Sequence, residues 1–186
     1  MIDQALIEKN IDSLGKGWIA LLEVPAESLT EAEIVSLKAL VDRNIFCIVL
    51  SGTKPYTSLL QFYNGLSLDT NKIAVIDCVT GTSKQNVEGK VWYMDGPNAL
   101  TQISIAMSGA ICNGGEDKAV LVDTLTSFLM HNKTEIFVRF AHSLVTKARI
   151  NGASCLLLSV DDTMSRETRA EIVQLCDKVI SVHDKL

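Results

Sequence analysis

No part of the chain concentrates lysine or arginine; the basic residues are spread singly, and the formal net charge is −5. Nucleic-acid phosphates require clustered cations, so nucleic acid is not an expected partner. No run of about 18 uncharged apolar residues occurs, the length a membrane-spanning helix needs. The opening MIDQALIEKN has early acids and no long apolar stretch, unlike a secretory signal. The five cysteines, Cys47, Cys78, Cys112, Cys155 and Cys176, contain no C-x-x-C pair, which argues against a disulfide framework and a zinc site. Cys47, Cys78 and Cys155 fall in or beside apolar runs and read as small core residues. No G-x-S-x-G elbow is present for a serine nucleophile. Together these absences predict a soluble, cytoplasmic protein that touches neither membrane nor nucleic acid.

The composition that remains, 47% hydrophobic and 21% charged over 186 residues, is that of one ordinary globular domain spanning residues 1–186. Residues 1–14 place Ile2, Leu6, Ile7, Ile11 and Leu14 on one helical face. Apolar runs that read as buried strands follow at Trp18–Val24, Ile45–Leu50, Lys72–Cys78, residues 91–95, Ala119–Val122, Ser154–Val160 and Lys178–His183. Helical patterns alternate with them. One runs from a Ser28 or Thr30 cap to about Asp42, with Glu31 and Glu33 in its first turn. Another starts at Pro55 and stops at Gly65, and a third follows Asn98 or Thr101. Asn132 is the expected cap of a helix with Ile136, Phe137, Phe140, Leu144 and Val145 on its inner stripe, and Ser165 of the last. Residues 79–89 read as an exposed, mobile loop. Strands without polar alternation, separated by helices, predict an α/β fold with a largely parallel sheet.

The stretch KAVLVDTLTSFLMH, Lys118–His131, is the most informative. It ends a doubly buried strand in Asp123, at the sheet edge where open α/β folds bind ligands. In P-loop NTPases an aspartate at this place helps hold Mg²⁺. The residue type also suits plain turn capping. A phosphate site needs a second part: glycines whose N–H groups wrap the phosphates, and a lysine for the terminal oxygens. The eight residues from Glu23 to Thr30, EVPAESLT, stand where that loop belongs. Leu29 occupies the lysine position, Glu23 and Ser28 the glycine positions, and Glu27 adds a repelling charge. Only Thr30 fits, at the hydroxyl position.

With these motifs in view, the layout resembles the RecA-fold ATPases of the KaiC type, over nearly the whole chain. KIAVIDC at 72–78 and KAVLVDTLTSFL at 118–129 resemble that family's apolar strand followed by Asp-Ser/Thr-Leu-Ser/Thr. More narrowly the chain is similar to short archaeal KaiC-like proteins without the Walker A loop. The resemblance implies a RecA-like three-layer sandwich. Active members carry two acidic residues after the second strand, where this chain has Ser51-Gly52-Thr53. Phosphate cradle and base are both missing. The implied function is a degenerate, non-catalytic regulatory or interaction module, without bound ATP or magnesium, that forms a homo-oligomer or joins a partner protein.

Two other readings follow from the same residues. Ser28, Thr30, Asp123 and Thr124 would form the vestigial nucleotide edge of a protein that grips nucleotide without the lysine, although Glu23 and Glu27 oppose it. Asp77, Asp123, Asp161 and Asp162, all at one sheet edge, would serve a metal-dependent enzyme. His131 reads as an exposed loop histidine and His142 as a flank or interface residue of its helix rather than a general base.

Overall fold

Strands buried on both faces need an apolar residue at every position, and those runs set the architecture here. The computed structural model describes residues 3–182. In chain order its elements are α1 (Gln4–Asp12), β1 (Ile19–Val24), α2 (Leu29–Val41), β2 (Phe46–Ser51), α3 (Tyr56–Gly65), β3 (Ile73–Asp77), β4 (Val91–Tyr93), α4 (Leu100–Asn113), β5 (Lys118–Val122), α5 (Leu125–His131), α6 (Thr134–Ile150), β6 (Ser154–Val160), α7 (Arg166–Gln174) and β7 (Lys178–Ser181). The seven strands form one sheet in the order β4-β3-β2-β5-β6-β1-β7, and every pairing is parallel.

Alternate residues of each strand feed two separate cores. Ala20, Leu22, Cys47, Val49, Leu121 and Leu156 pack with α1, α2 and α3. Leu21, Ile48, Leu50, Val120, Val122 and Leu157 pack with α4, α5, α6 and α7. The result is a RecA-like three-layer sandwich. Right-handed crossovers explain the division: connections toward β4 run over the first face, and those toward β7 over the second. The buried thiols behave as core atoms, with burial pushing Cys47 up to about 12 and Cys155 further up.

The helix boundaries hold several corrections. Asn132 does not cap α6, whose N-cap is Lys133 with no side-chain hydrogen bond. Its amide instead donates to the Phe128 carbonyl at 2.8 Å and the Pro97 carbonyl at 3.1 Å, closing the end of α5. That short helix adds a turn of structure before α6. Ile136, assigned to the inner stripe, is 47% exposed, whereas Phe137, Phe140, Leu144 and Val145 are buried. Neither Asn98 nor Thr101 caps α4; the N-cap is Ala99. α3 follows its Pro55 N-cap and ends at Gly65, as expected, with Ser67 left-handed just beyond it. Ser165 does cap α7, accepting from the Thr168 N–H at 3.1 Å. Ile2 and His183 lie outside the described residues. Residues 79–89 are largely exposed, and Val87 exchanges backbone hydrogen bonds with Val91 along the outer edge of β4.

Phe137 anchors the second core, fully buried on α6 in the cluster that includes Phe128 and Phe140. Phe137→Ala should lower unfolding free energy by about 3–5 kcal/mol in urea titrations, by lost transfer energy and a residual cavity. A loss below about 1 kcal/mol would show that α6 is not packed as described.

Candidate functional site

The C-terminal edge of the sheet is where this fold class places its chemistry. Parallel register brings the ends of β2, β3 and β5 together, with Leu50 opposite Val122 and Ser51 opposite Asp77. Beyond β5, Asp123 is 2% exposed. A carboxylate removed from water needs hydrogen-bond donors, and the β2–α3 turn supplies them. The Gly52 N–H lies 3.1 Å from both carboxylate oxygens. Thr53 donates its N–H at 3.1 Å and its hydroxyl at 2.6 Å, and the Ser51 hydroxyl lies at 2.9 Å. Burial raises the Asp123 pKa, while the donors from Thr53, Gly52, Ser51 and Thr124 pull it down. The turn after β2, Ser51-Gly52-Thr53, is thus what holds this aspartate.

Gly52 is required by close packing rather than by φ. A Cβ there would lie 2.9 Å from the Ser127 hydroxyl and 3.2 Å from the Phe128 ring. The Ser127 hydroxyl donates to the Gly52 carbonyl at 3.0 Å, so α5 clamps the turn from above.

Next in the turn, Lys54 reaches inward. Its ammonium donates to Glu33 at 2.8 Å, and the Tyr63 hydroxyl donates to the other Glu33 oxygen at 3.1 Å. Glu33, expected to complement the helix dipole from the first turn of α2, is instead 2% exposed. Burial pushes its pKa up, and Lys54 opposes the rise. Its spacing with Leu37, Leu40 and Val41 was the available signal, since those residues share the inner face of α2.

Asp77 has a parallel role on β3. It accepts from the Tyr56 N–H at 2.7 Å, at the first residue of α3, and from Val79 and Thr80 N–H groups at 2.8 and 2.9 Å. The positive end of α3 is therefore satisfied by a carboxylate of the same chain.

The β1–α2 connection shows no cradle. Pro25 leads into a single 3₁₀ turn, Ala26–Ser28, and α2 begins at Leu29. The Ser28 N–H donates to the Pro25 carbonyl at 3.0 Å, and none of residues 23–30 has positive φ, the left-handed geometry of an anion-binding nest. Ser28 is buried at the N-cap of α2 without a side-chain capping bond, and Thr30 is exposed within that helix. Thr124 is buried and caps α5, accepting from the Thr126 N–H at 3.2 Å. Glu23, 8% exposed, is neutralised by Arg169, which donates two hydrogen bonds to it at 2.6 and 2.7 Å. Among the described residues, no group of three or more His, Cys, Asp or Glu side chains is arranged to hold a metal. Asp77, Asp123, Asp161 and Asp162 share an edge but not a centre. His131 and His142 are exposed.

A family profile described as "Family of unknown function (DUF7504)" matches residues 47–182. The chain belongs to the DUF7504 family. No curated protein matches it. Among solved structures, the KaiC-like protein PH0186 of the hyperthermophilic archaeon Pyrococcus horikoshii OT3 is similar, with a TM-score of 0.67 and 13% identity; 91% of this chain and 73% of that one are covered. The uncharacterized protein PH0321 of Pyrococcus horikoshii is similar at a TM-score of 0.70 and 12% identity, covering 94% and 81%. These likenesses show the fold: this DUF7504 member is a RecA-like, KaiC-like ATPase-fold protein. Among the described residues, no helix is long and apolar enough to cross a membrane.

Removing the Asp123 carboxylate would strand several inward-facing donors. Asp123→Ala should cost on the order of 3 kcal/mol in chemical denaturation, with Asp123→Asn intermediate. A change within about 0.5 kcal/mol would mean that solvent already satisfies the turn. For Glu33 the sign follows from its raised folded pKa. The unfolded carboxyl ionises first, near an ordinary value of about 4.3, so stability falls as pH rises from there through the folded pKa. The stability of the wild type minus that of Glu33→Gln should therefore decrease across this window in urea titrations at stepped pH. A difference that grows with pH would contradict the assignment.

Proposed function

We propose that this protein is a non-catalytic RecA-fold domain that acts in the cytoplasm as a regulatory or protein-interaction module. The observation that carries the reading is the burial of Asp123 against the turn after β2. Its oxygens are engaged by Ser51, Gly52 and Thr53, the residues that stand in place of an acidic pair. A magnesium ion on Oδ2 would compete with the Ser51, Gly52 and Thr53 donors. The short Pro25-led 3₁₀ turn supports the same reading, because its Ser28 and Leu29 N–H groups bond to the Pro25 and Ala26 carbonyls and its backbone has no left-handed residue. A sheet edge tied up internally leaves the outer surface as the working part. The PH0321 structure is a complex with an unknown peptide, which supports a protein-binding use of the similar fold here. The working state is then a homo-oligomer or a complex with a partner protein.

A thermal-shift titration with Mg-ATP, ADP and GTP, paired with a hydrolysis assay, tests the proposal. Ligand at a hundredfold its dissociation constant would add about 2.7 kcal/mol of stability, a shift of several degrees in a domain of this size. The expected result is no shift at millimolar nucleotide and no hydrolysis. A magnesium-dependent shift that Asp123→Asn abolishes would instead establish a nucleotide site built on Ser28, Thr30, Asp123 and Thr124.

A further inference from the structure

The sheet has two places where neighbouring strands send their connections in opposite directions, and such switch points open crevices outside the strand ends. One lies between β2 and β5 and is filled by Asp123 and the Ser51–Thr53 turn. The other lies between β1, which leads through α2 on one face, and β6, which leads through α7 on the other. This second crevice is open. It is a cleft of about 410 Å³ at the ends of β1, β6 and β7. Small-molecule sites begin at about 300 Å³.

Its polar groups divide into paired and unpaired ones. Glu23 is engaged by Arg169, and the Ser181 hydroxyl adds a hydrogen bond at 3.2 Å. On the walls, Arg166 and Asp162 make no side-chain hydrogen bond or ion pair among the described residues. Asp162 also has a φ of 57°, a conformation uncommon outside glycine but tolerated by aspartate. Val160 and Met164 supply apolar wall.

The charges set the ligand class. With Glu23 and Arg169 paired to each other, Arg166 and Asp162 are lining charges of opposite sign without a partner among the described residues. That balance opposes a phosphate or nucleotide, and no metal-holding group exists here among the described residues. A free guanidinium and a free carboxylate on one cleft match a molecule carrying both signs. We propose that the cleft binds a free α-amino acid: its carboxylate on Arg166, its ammonium on Asp162, its side chain toward Met164. The geometry of an Arg–carboxylate fork favours this pairing. The cleft contains Glu23 from the stretch Glu23–Thr30 but none of Ser28, Thr30, Asp123 and Thr124, so the two sites can be tested separately.

Calorimetry and thermal shift with the common amino acids test it, using wild type, Arg166→Ala and Asp162→Asn. Both positions are exposed, so both variants should fold with near-normal stability. The expected result is that one or a few amino acids raise the melting temperature, while their deaminated and decarboxylated analogues and inorganic phosphate do not. Each substitution should weaken binding by about tenfold or more. No binding at millimolar amino acid, binding that survives both substitutions, or equal binding of simple carboxylates would overturn the proposal. Nucleotide titrations on the same samples keep the two sites distinguishable.

Discussion

The desolvated carboxylate of Asp123 is the constraint from which the active-edge geometry follows. A charge or carboxyl group this deep is costly unless donors surround it. The nearest backbone able to supply them belongs to the turn after β2, and drawing that turn across the end of β5 has consequences in two directions. Gly52 is brought under α5 at a distance that leaves no room for a side chain, and Ser127 closes over its carbonyl. Lys54 is turned toward α2, where Glu33 and Tyr63 complete a second buried polar group. One aspartate thereby couples β2, β5, α2, α3 and α5.

The same economy recurs along the edge. Helix N-termini at strand ends are anion sites because their first N–H groups lack partners. Here Asp77 takes the first N–H of α3, and Thr124 and Ser165 cap α5 and α7. The β1–α2 connection answers its own backbone need with a 3₁₀ turn. At this sheet edge the helix amides and the buried carboxylates of Asp77 and Asp123 are paired within the chain.

Much of this was legible in the sequence and some was not, for physical reasons. Runs such as CLLL at 155–158 and AVLV at 119–122 declare doubly buried strands because no polar residue interrupts them, so sheet and layers followed. That Leu29 stands where a phosphate loop would need a lysine, and Ser51-Gly52-Thr53 where the resemblance implies acids, was also a local reading. What the sequence could not display was pairing across distance: Asp123 with a turn some 70 positions earlier, or Glu23 with Arg169. Asn132 shows the same limit at short range, since an asparagine between two helices can cap either, and packing against Pro97 decides it. Glu33 looked like a dipole-complementing acid because its partners lie in other elements.

The energetic effect of closing the edge bears on how such a domain could work. A ligand-dependent fold keeps its site poorly satisfied when empty, so binding adds stability by mass action. Once the turn of β2 satisfies Asp123 and Pro25 fixes the β1 exit, the empty form is itself the low-energy state. Pro25 adds to this by restricting the unfolded chain. A nucleotide would then have to break existing hydrogen bonds before making new ones, so its differential affinity for the two arrangements would be small or adverse. On the proposed reading, a nucleotide at this edge gains little from switching the domain. The open crevice between β1 and β6 is where the sheet still presents the charges of Arg166 and Asp162 to solvent.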